Sequence, residues 1–244
     1  MKYSKHNIFR VIWFSLVVVF MLWMWSGFQA HNLPDDTFIS TESISVHENT
    51  EMISFQTMEQ DSTQIIFFQG GLVEPEAYAP LARSLAENGY SVHIIKMPFR
   101  LAILGYDELS SLFNLSDSNT DYILMGHSQG AKMAAKFVHE NPDLIDGLVL
   151  MGTSHPRDFS LSYSTIPILK LYASNDGLAS VVEVMENRNM LPIDAKFIEI
   201  KGGNHAQFGY MGSLLMDDVA SISKEEQLVQ VNAEIVRFLK SEFQ

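Results

Sequence analysis

A chain of 244 residues with 47% apolar side chains and no cysteine has room for one full α/β core. Disulfides, thiolate catalysis and cysteine-ligated metal are excluded. The net charge is −13, and residues 1–30 hold Lys2, Lys5 and Arg10 and no acid, so the remainder carries 13 basic against 29 acidic residues, a net of −16. Such a surface repels nucleic acid and anionic lipid, which excludes both as electrostatic partners of the globular part.

Lys2, Lys5, His6 and Arg10 precede the run 11–25, in which Ser15 is the one polar residue. Extended to Phe28 the run has 18 residues, about 27 Å of helix at 1.5 Å per residue, close to the thickness of a bilayer core. The chain's tryptophans, Trp13, Trp23 and Trp25, sit near the two ends of the run, as interfacial anchors do. The reading is an uncleaved signal-anchor over 1–30, crossing the membrane through residues 8–28. The basic flank places the N-terminus in the cytoplasm and the rest outside the cell membrane. The alternative is secretion after signal-peptide cleavage. Cleavage after Ala30 or Gly27 would leave Phe28 or Trp25 at the −3 position, where a small residue is needed.

Residues 31–43 are polar and read as a linker to a domain over 44–244. Residues 44–47 and 52–55 alternate in hydropathy and predict an edge hairpin. The continuous apolar run 65–68 predicts a central strand ending in Gln69-Gly70-Gly71. A helix is predicted over 78–88, with Pro80 in its first turn and Gly89 as its stop. A strand over 91–95, a loop at 96–100 and a helix over 102–112 follow. The next strand, 122–126, runs into a turn and a helix. Further strands are expected at 147–151, 168–172 and 195–200, a helix over 178–189, and a closing amphipathic helix over 224–243. Strands alternating with helices imply a mostly parallel central sheet with helices on both faces. Functional groups are then expected at the carboxyl ends of the strands.

The turn reads Gly126-His127-Ser128-Gln129-Gly130. Gly-X-Ser-X-Gly between a buried strand and a helix holds a serine in a strained conformation with its hydroxyl exposed. Small residues at 131, 134 and 135 let the helix lie close on the sheet. A serine needs a base to become nucleophilic, and the base needs a carboxylate to orient it. The candidates are Ser128, Asp176 and His205, each following a predicted strand. Backbone N–H groups for an oxyanion are expected from Gln129 and from the Gly71-Leu72 region, where absent side chains allow close approach.

Gly70-Gly71, the segments 77–82 and 96–98, Gly126-His127-Ser128, Asp176-Gly177 and the segment 203–209 together resemble a small, lid-less bacterial branch of the alpha/beta hydrolases, related to the dienelactone hydrolases. The resemblance covers about 44–242 and implies the α/β-hydrolase fold with a serine triad on Ser128, Asp176 and His205. Many members continue the nucleophile turn with a second glycine where this chain has Ala131. Dienelactone hydrolases proper use a cysteine, so their reaction is not implied.

Only 152–165 is available where a large cap domain usually enters, so none is expected and the site should be open. Phe99, Arg100, His155, Phe208 and Tyr210 are candidate substrate contacts. The expected activity is hydrolysis of a small-molecule carboxylic ester, or an amide or thioester, through an acyl-enzyme, without cofactor or metal. Acyl transfer to another acceptor and a non-catalytic surface scaffold are the alternatives. Oligomeric state is left open.

Overall fold

The computed structural model describes residues 5–58 and 63–243. Lys2 of the basic flank, and positions 59–62 and 244 of the expected domain, lie outside them. Eight strands form one sheet in the order β1-β2-β4-β3-β5-β6-β7-β8. The hairpin β1 (Ile44–Glu48) and β2 (Met52–Thr57) is antiparallel and joins β4 (Ser91–Ile95) antiparallel. From β4 onward, β3 (Thr63–Phe68), β5 (Asp121–His127), β6 (Gly147–Met151), β7 (Ile168–Ala173) and β8 (Lys196–Ile200) are parallel.

The inner strands read as unbroken apolar runs because both faces are covered. Successive side chains point to opposite faces, and the two cores divide accordingly. Ile65, Phe67, Ile123, Met125, Val149 and Met151 pack with α2 (Ala79–Glu87) and α6 (Lys224–Phe243). Ile66, Phe68, Leu124, Leu148 and Leu150 pack with α4 (Gln129–Glu140). Each such side chain, fully buried, contributes roughly 1.5–3 kcal/mol. Ala131, Ala134, Ala135 and Val138 supply the close face of α4.

Two predicted helices come out shorter. Over 102–112 the chain makes two 3₁₀ turns and one short helix, α3 (Leu109–Leu112), because Gly105 between them is non-helical at φ −157, ψ 5. In the 178–189 stretch, helix begins only at α5 (Val181–Glu186), where Ser180 and Glu183 form a capping box. The N–H groups of Leu178 and Ala179 are instead taken by the Asp176 carboxylate, at 2.9 and 2.6 Å.

Helix α1 (Lys5–Gly27) precedes the sheet. Its stretch His6–Gly27 has a mean hydropathy of 2.1 and is long and apolar enough to cross a membrane. Its end is fastened to the domain. Gly212 N–H donates to the Gly27 carbonyl at 3.0 Å, His31 N–H to the Tyr210 carbonyl at 2.7 Å, and Ala30 N–H to Glu74 Oε2 at 2.8 Å. Within 31–43, Thr37 is buried and the Ile39 carbonyl accepts from Arg83 at 2.7 Å.

Strand order reverses at β3, with β4 on one side and β5 on the other. Crevices outside the carboxyl ends of strands open at such a switch point. Here it lies between Gly70-Gly71, after β3, and Ser128, after β5.

Candidate active site

Ser128 sits at φ 53, ψ −117 between β5 and α4. A non-glycine residue there costs on the order of 1–3 kcal/mol, so the surroundings must enforce it. They do so by proximity. A Cβ on Gly130 would lie 2.1 Å from the Phe68 carbonyl oxygen, and one on Gly126 would lie 2.6 Å from the Gly130 carbonyl carbon. Strand and helix thus pass too closely for any residue but glycine at either place.

His205, after β8, and Asp176, after β7, are both buried. Nδ1 of His205 lies 2.9 and 3.0 Å from the two Asp176 carboxylate oxygens. With Nδ1 donating to that carboxylate, Nε2 is the nitrogen left to take a proton. Ser128 and His205 open on one cleft of about 320 Å³. The three candidate residues therefore gather at one edge of one sheet.

A second carboxylate, unremarked in the sequence, ties the two loops together. Asp217 accepts from His205 N–H at 3.1 Å, Gly177 N–H at 3.3 Å and Ala206 N–H at 2.9 Å. It spans the loop that carries Asp176 and the loop that carries His205. Burial raises its pKa, against the lowering by these three N–H groups. Asp217 lies 12 residues beyond His205 in an irregular stretch, and no local pattern marks it.

His127, which fills a variable place of the turn, is also part of the site. Its ring stands 4.5 Å from that of His205 and 5.4 Å from Phe208. Gly70 N–H donates to Tyr78 Oη at 3.0 Å, so the Tyr78 hydroxyl donates onward to His127 Nδ1 at 2.8 Å. Burial, then the neighbouring His205, holds the His127 pKa well below the usual histidine range. Burial likewise raises the Tyr78 phenol above its ordinary value. The chain Gly70–Tyr78–His127 runs from the loop after β3 to the ring of His205.

Of the expected oxyanion donors, Gln129 is the first residue of α4, where an N–H has no partner within the helix. Gly71 faces the Gln129 side chain, whose amide would lie 3.3 Å from a Cβ added there. Leu72 N–H is engaged, donating to the Arg100 carbonyl at 2.7 Å. Gly71 and Gln129 are therefore the pair to consider.

Among the candidate substrate contacts, His155 lines the cleft, with Lys132, Thr153, Arg157 and Leu178. Arg157 donates to His155 Nε2 at 3.3 Å, and buried Lys170 donates to the His155 carbonyl at 2.5 Å. Burial first, then Lys132 and Arg157, brings the His155 pKa down to about 4. Burial brings Lys170 down to about 7. The other four stand elsewhere. Phe208 is buried against His127, and Tyr210 is buried beneath Lys224. Arg100 pairs with Glu74 at 2.6 Å and lies 5.1 Å over the Trp25 ring. Phe99 projects into solvent, 84% exposed.

No curated protein sequence matches the chain. Solved structures share the fold at low identity. MGS-MChE2, an alpha/beta hydrolase enzyme from the metagenome of Mar Chica lagoon sediments, aligns with a TM-score of 0.61 at 16% identity, over 81% of this chain and 98% of that one. An alpha-beta serine hydrolase homologue from Coxiella burnetii aligns at 0.57 and 17%, over 83% and 99%. Carboxylesterase CesB from Bacillus subtilis aligns at 0.57 and 12%, over 84% and 94%. Residues 64–229 match the model of the alpha/beta hydrolase family. With this match over more than half its length and the eight-stranded sheet above, the chain belongs to the alpha/beta hydrolase family.

Proposed function

We propose that this hydrolase is a serine esterase, working through Ser128, His205 and Asp176 by an acyl-enzyme, and that α1 anchors it in a membrane. The observation that carries the catalytic reading is the His205–Asp176 pair at 2.9 Å, beside a serine held at positive φ on the same cleft. Ser128 Oγ attacks the ester carbonyl while its proton passes to His205 Nε2. Asp176 keeps the imidazole in the required tautomer and stabilises the imidazolium. The developing oxyanion is met by the N–H groups of Gly71 and Gln129, where loss of one donor typically costs about 3 kcal/mol of barrier. His205 then returns the proton to the departing alkoxide, leaving Ser128 acylated. A water, deprotonated by the same nitrogen, attacks the acyl carbonyl and frees the acid.

The test is turnover of 4-nitrophenyl acetate and butyrate by the full chain and by His205→Ala and Asp176→Asn. The wild type should show turnover, and each variant should lose roughly 10⁴ in kcat. Variants as active as the wild type would overturn the assignment. For the anchor, deletion of residues 1–24 should move the protein to the soluble fraction. Cutting there spares Trp25 and residues 27–31, which pack on the domain.

A further inference from the structure

Helix α1 meets the domain at the same edge of the sheet as the active site. Trp25 lies under Arg100, which follows β4, and Arg100 binds Glu74, which follows β3. Gly27 abuts the loop after β8 so closely that a Cβ there would lie 2.6 Å from the Ser213 carbonyl oxygen. No free linker separates the apolar helix from these loops, and the helix is exposed over 6–23. If α1 crosses a bilayer, the loops that clasp its end are held at the bilayer surface.

Those loops carry apolar side chains directed into solvent. Phe99 is 84% exposed, Met216 76% and Val219 88%, with Leu72, Ile103 and Leu104 also exposed. All of them follow the carboxyl ends of β3, β4 and β8. Phe99 directly precedes Arg100, whose guanidinium lies over the Trp25 ring. Leu72, Phe99 and Met216 are held at φ 66, 52 and 70. Left-handed backbone at such residues is costly and persists only where neighbouring structure enforces it. Ordered turns do so, through Leu72 N–H to the Arg100 carbonyl and Leu101 N–H to the Pro98 carbonyl, at 2.7 and 2.9 Å. The net charge of −16 beyond residue 30 gives the domain no electrostatic attraction to anionic lipid, so any contact must be apolar.

We propose that this rim rests on the bilayer, with Phe99 and Met216 inserted among the lipids near the depth of Trp25, and that the Ser128 cleft takes ester-bearing amphiphiles from the membrane surface. The proposal rests on the anchor and esterase readings above. Amphipathic surfaces of this kind bind through buried apolar area, and a substrate resident in the same surface reaches the cleft without leaving it.

The absence of cysteine makes the test direct. Single variants Phe99→Cys and Met216→Cys, and Met58→Cys and Ile193→Cys at the opposite edge, are labelled with a nitrobenzoxadiazole dye in the full chain. They are reconstituted in phosphatidylcholine vesicles containing a nitroxide-bearing lipid. Labels at 99 and 216 should be blue-shifted and quenched at least threefold by the nitroxide lipid, and labels at 58 and 193 should be neither. Aqueous emission at all four positions overturns the proposal. So does a blue shift at 99 without lipid quenching, which would mean burial against a second copy. A second measurement takes the ratio of activity on a diacyl ester in the vesicles to activity on a soluble short ester. Phe99→Ser should lower that ratio at least fivefold, and an unchanged ratio overturns the substrate half. Were the wild type inactive on every ester, the esterase reading would fail while the label depths still decided the membrane contact.

Discussion

The His127 ring packs 4.5 Å from that of His205, at a tilt of 49°, and accepts a hydrogen bond from Tyr78 on Nδ1. The residue just before Ser128 thus packs against His205. His127 does not border the cleft, so it acts on the reaction only through His205 and the Gly70 loop.

Replacing it with phenylalanine keeps a ring and removes the acceptor, leaving the buried Tyr78 hydroxyl its bond from Gly70 N–H but no acceptor for its own proton. An orphaned buried donor costs about 1–3 kcal/mol. His127→Phe should lose that much in urea unfolding, with kcat down about tenfold and KM within twofold. His127→Asn, whose Oδ1 can replace Nδ1 as acceptor, should recover most of the stability. Equal stability of the phenylalanine and asparagine variants would count against the Tyr78 bond.

Asp217 holds the loops of Asp176 and His205 together through three N–H groups. An asparagine keeps the shape, but its amide nitrogen must face one of those donors. Asp217→Asn should lower kcat by about 10–100-fold, equivalent to roughly 1.4–2.7 kcal/mol of barrier. A merely structural role would lower stability and leave the pH profile of kcat/KM in place. Displacement of His205 should shift its acid limb, which a rate profile from pH 5 to 9 reads directly.

The frame of the molecule was legible because its strands are short, apolar and bounded by glycine or proline. The runs at 91–95 and 147–151 and the final helix coincide with β4, β6 and α6. The turn at Ser128 was legible for a steric reason, since glycine is obligatory at 126 and 130. The neighbours of the site were not. Phe208 and Tyr210 carry the residue types of a pocket wall, yet both are buried, and nothing local tells a wall from a core. Asp217 and Tyr78 matter through contacts 12 and 49 residues away, with His205 and His127. The start of α5 shifted because a side chain after β7 captured the N–H groups that would have opened the helix.

Acid should destabilise the fold through histidines buried in neutral form. His93 accepts from Ser54 at 2.9 Å and donates to Gln64 at 2.8 Å, and burial brings its pKa from 6.5 to about 4. Between those values the unfolded chain binds a proton that the folded chain refuses. The contribution is therefore complete above pH 6.5, falls as pH drops, and is exhausted near pH 4, at most roughly 3 kcal/mol. His127 and His155 act in the same direction. Urea midpoints from pH 7.5 to 4 should decline, and His93→Gln should flatten that decline. A midpoint independent of pH over this range would exclude buried neutral histidines as the cause.

The most direct measurement is covalent labelling by a fluorophosphonate, which selects a serine whose attack is assisted by a positioned base. The full chain should be labelled at Ser128, identified by mass spectrometry of the peptide, and Ser128→Ala and His205→Ala should remain unlabelled. Labelling of the Ser128→Ala protein at the wild-type rate, or none in a folded wild type, would contradict an esterase built on Ser128, His205 and Asp176.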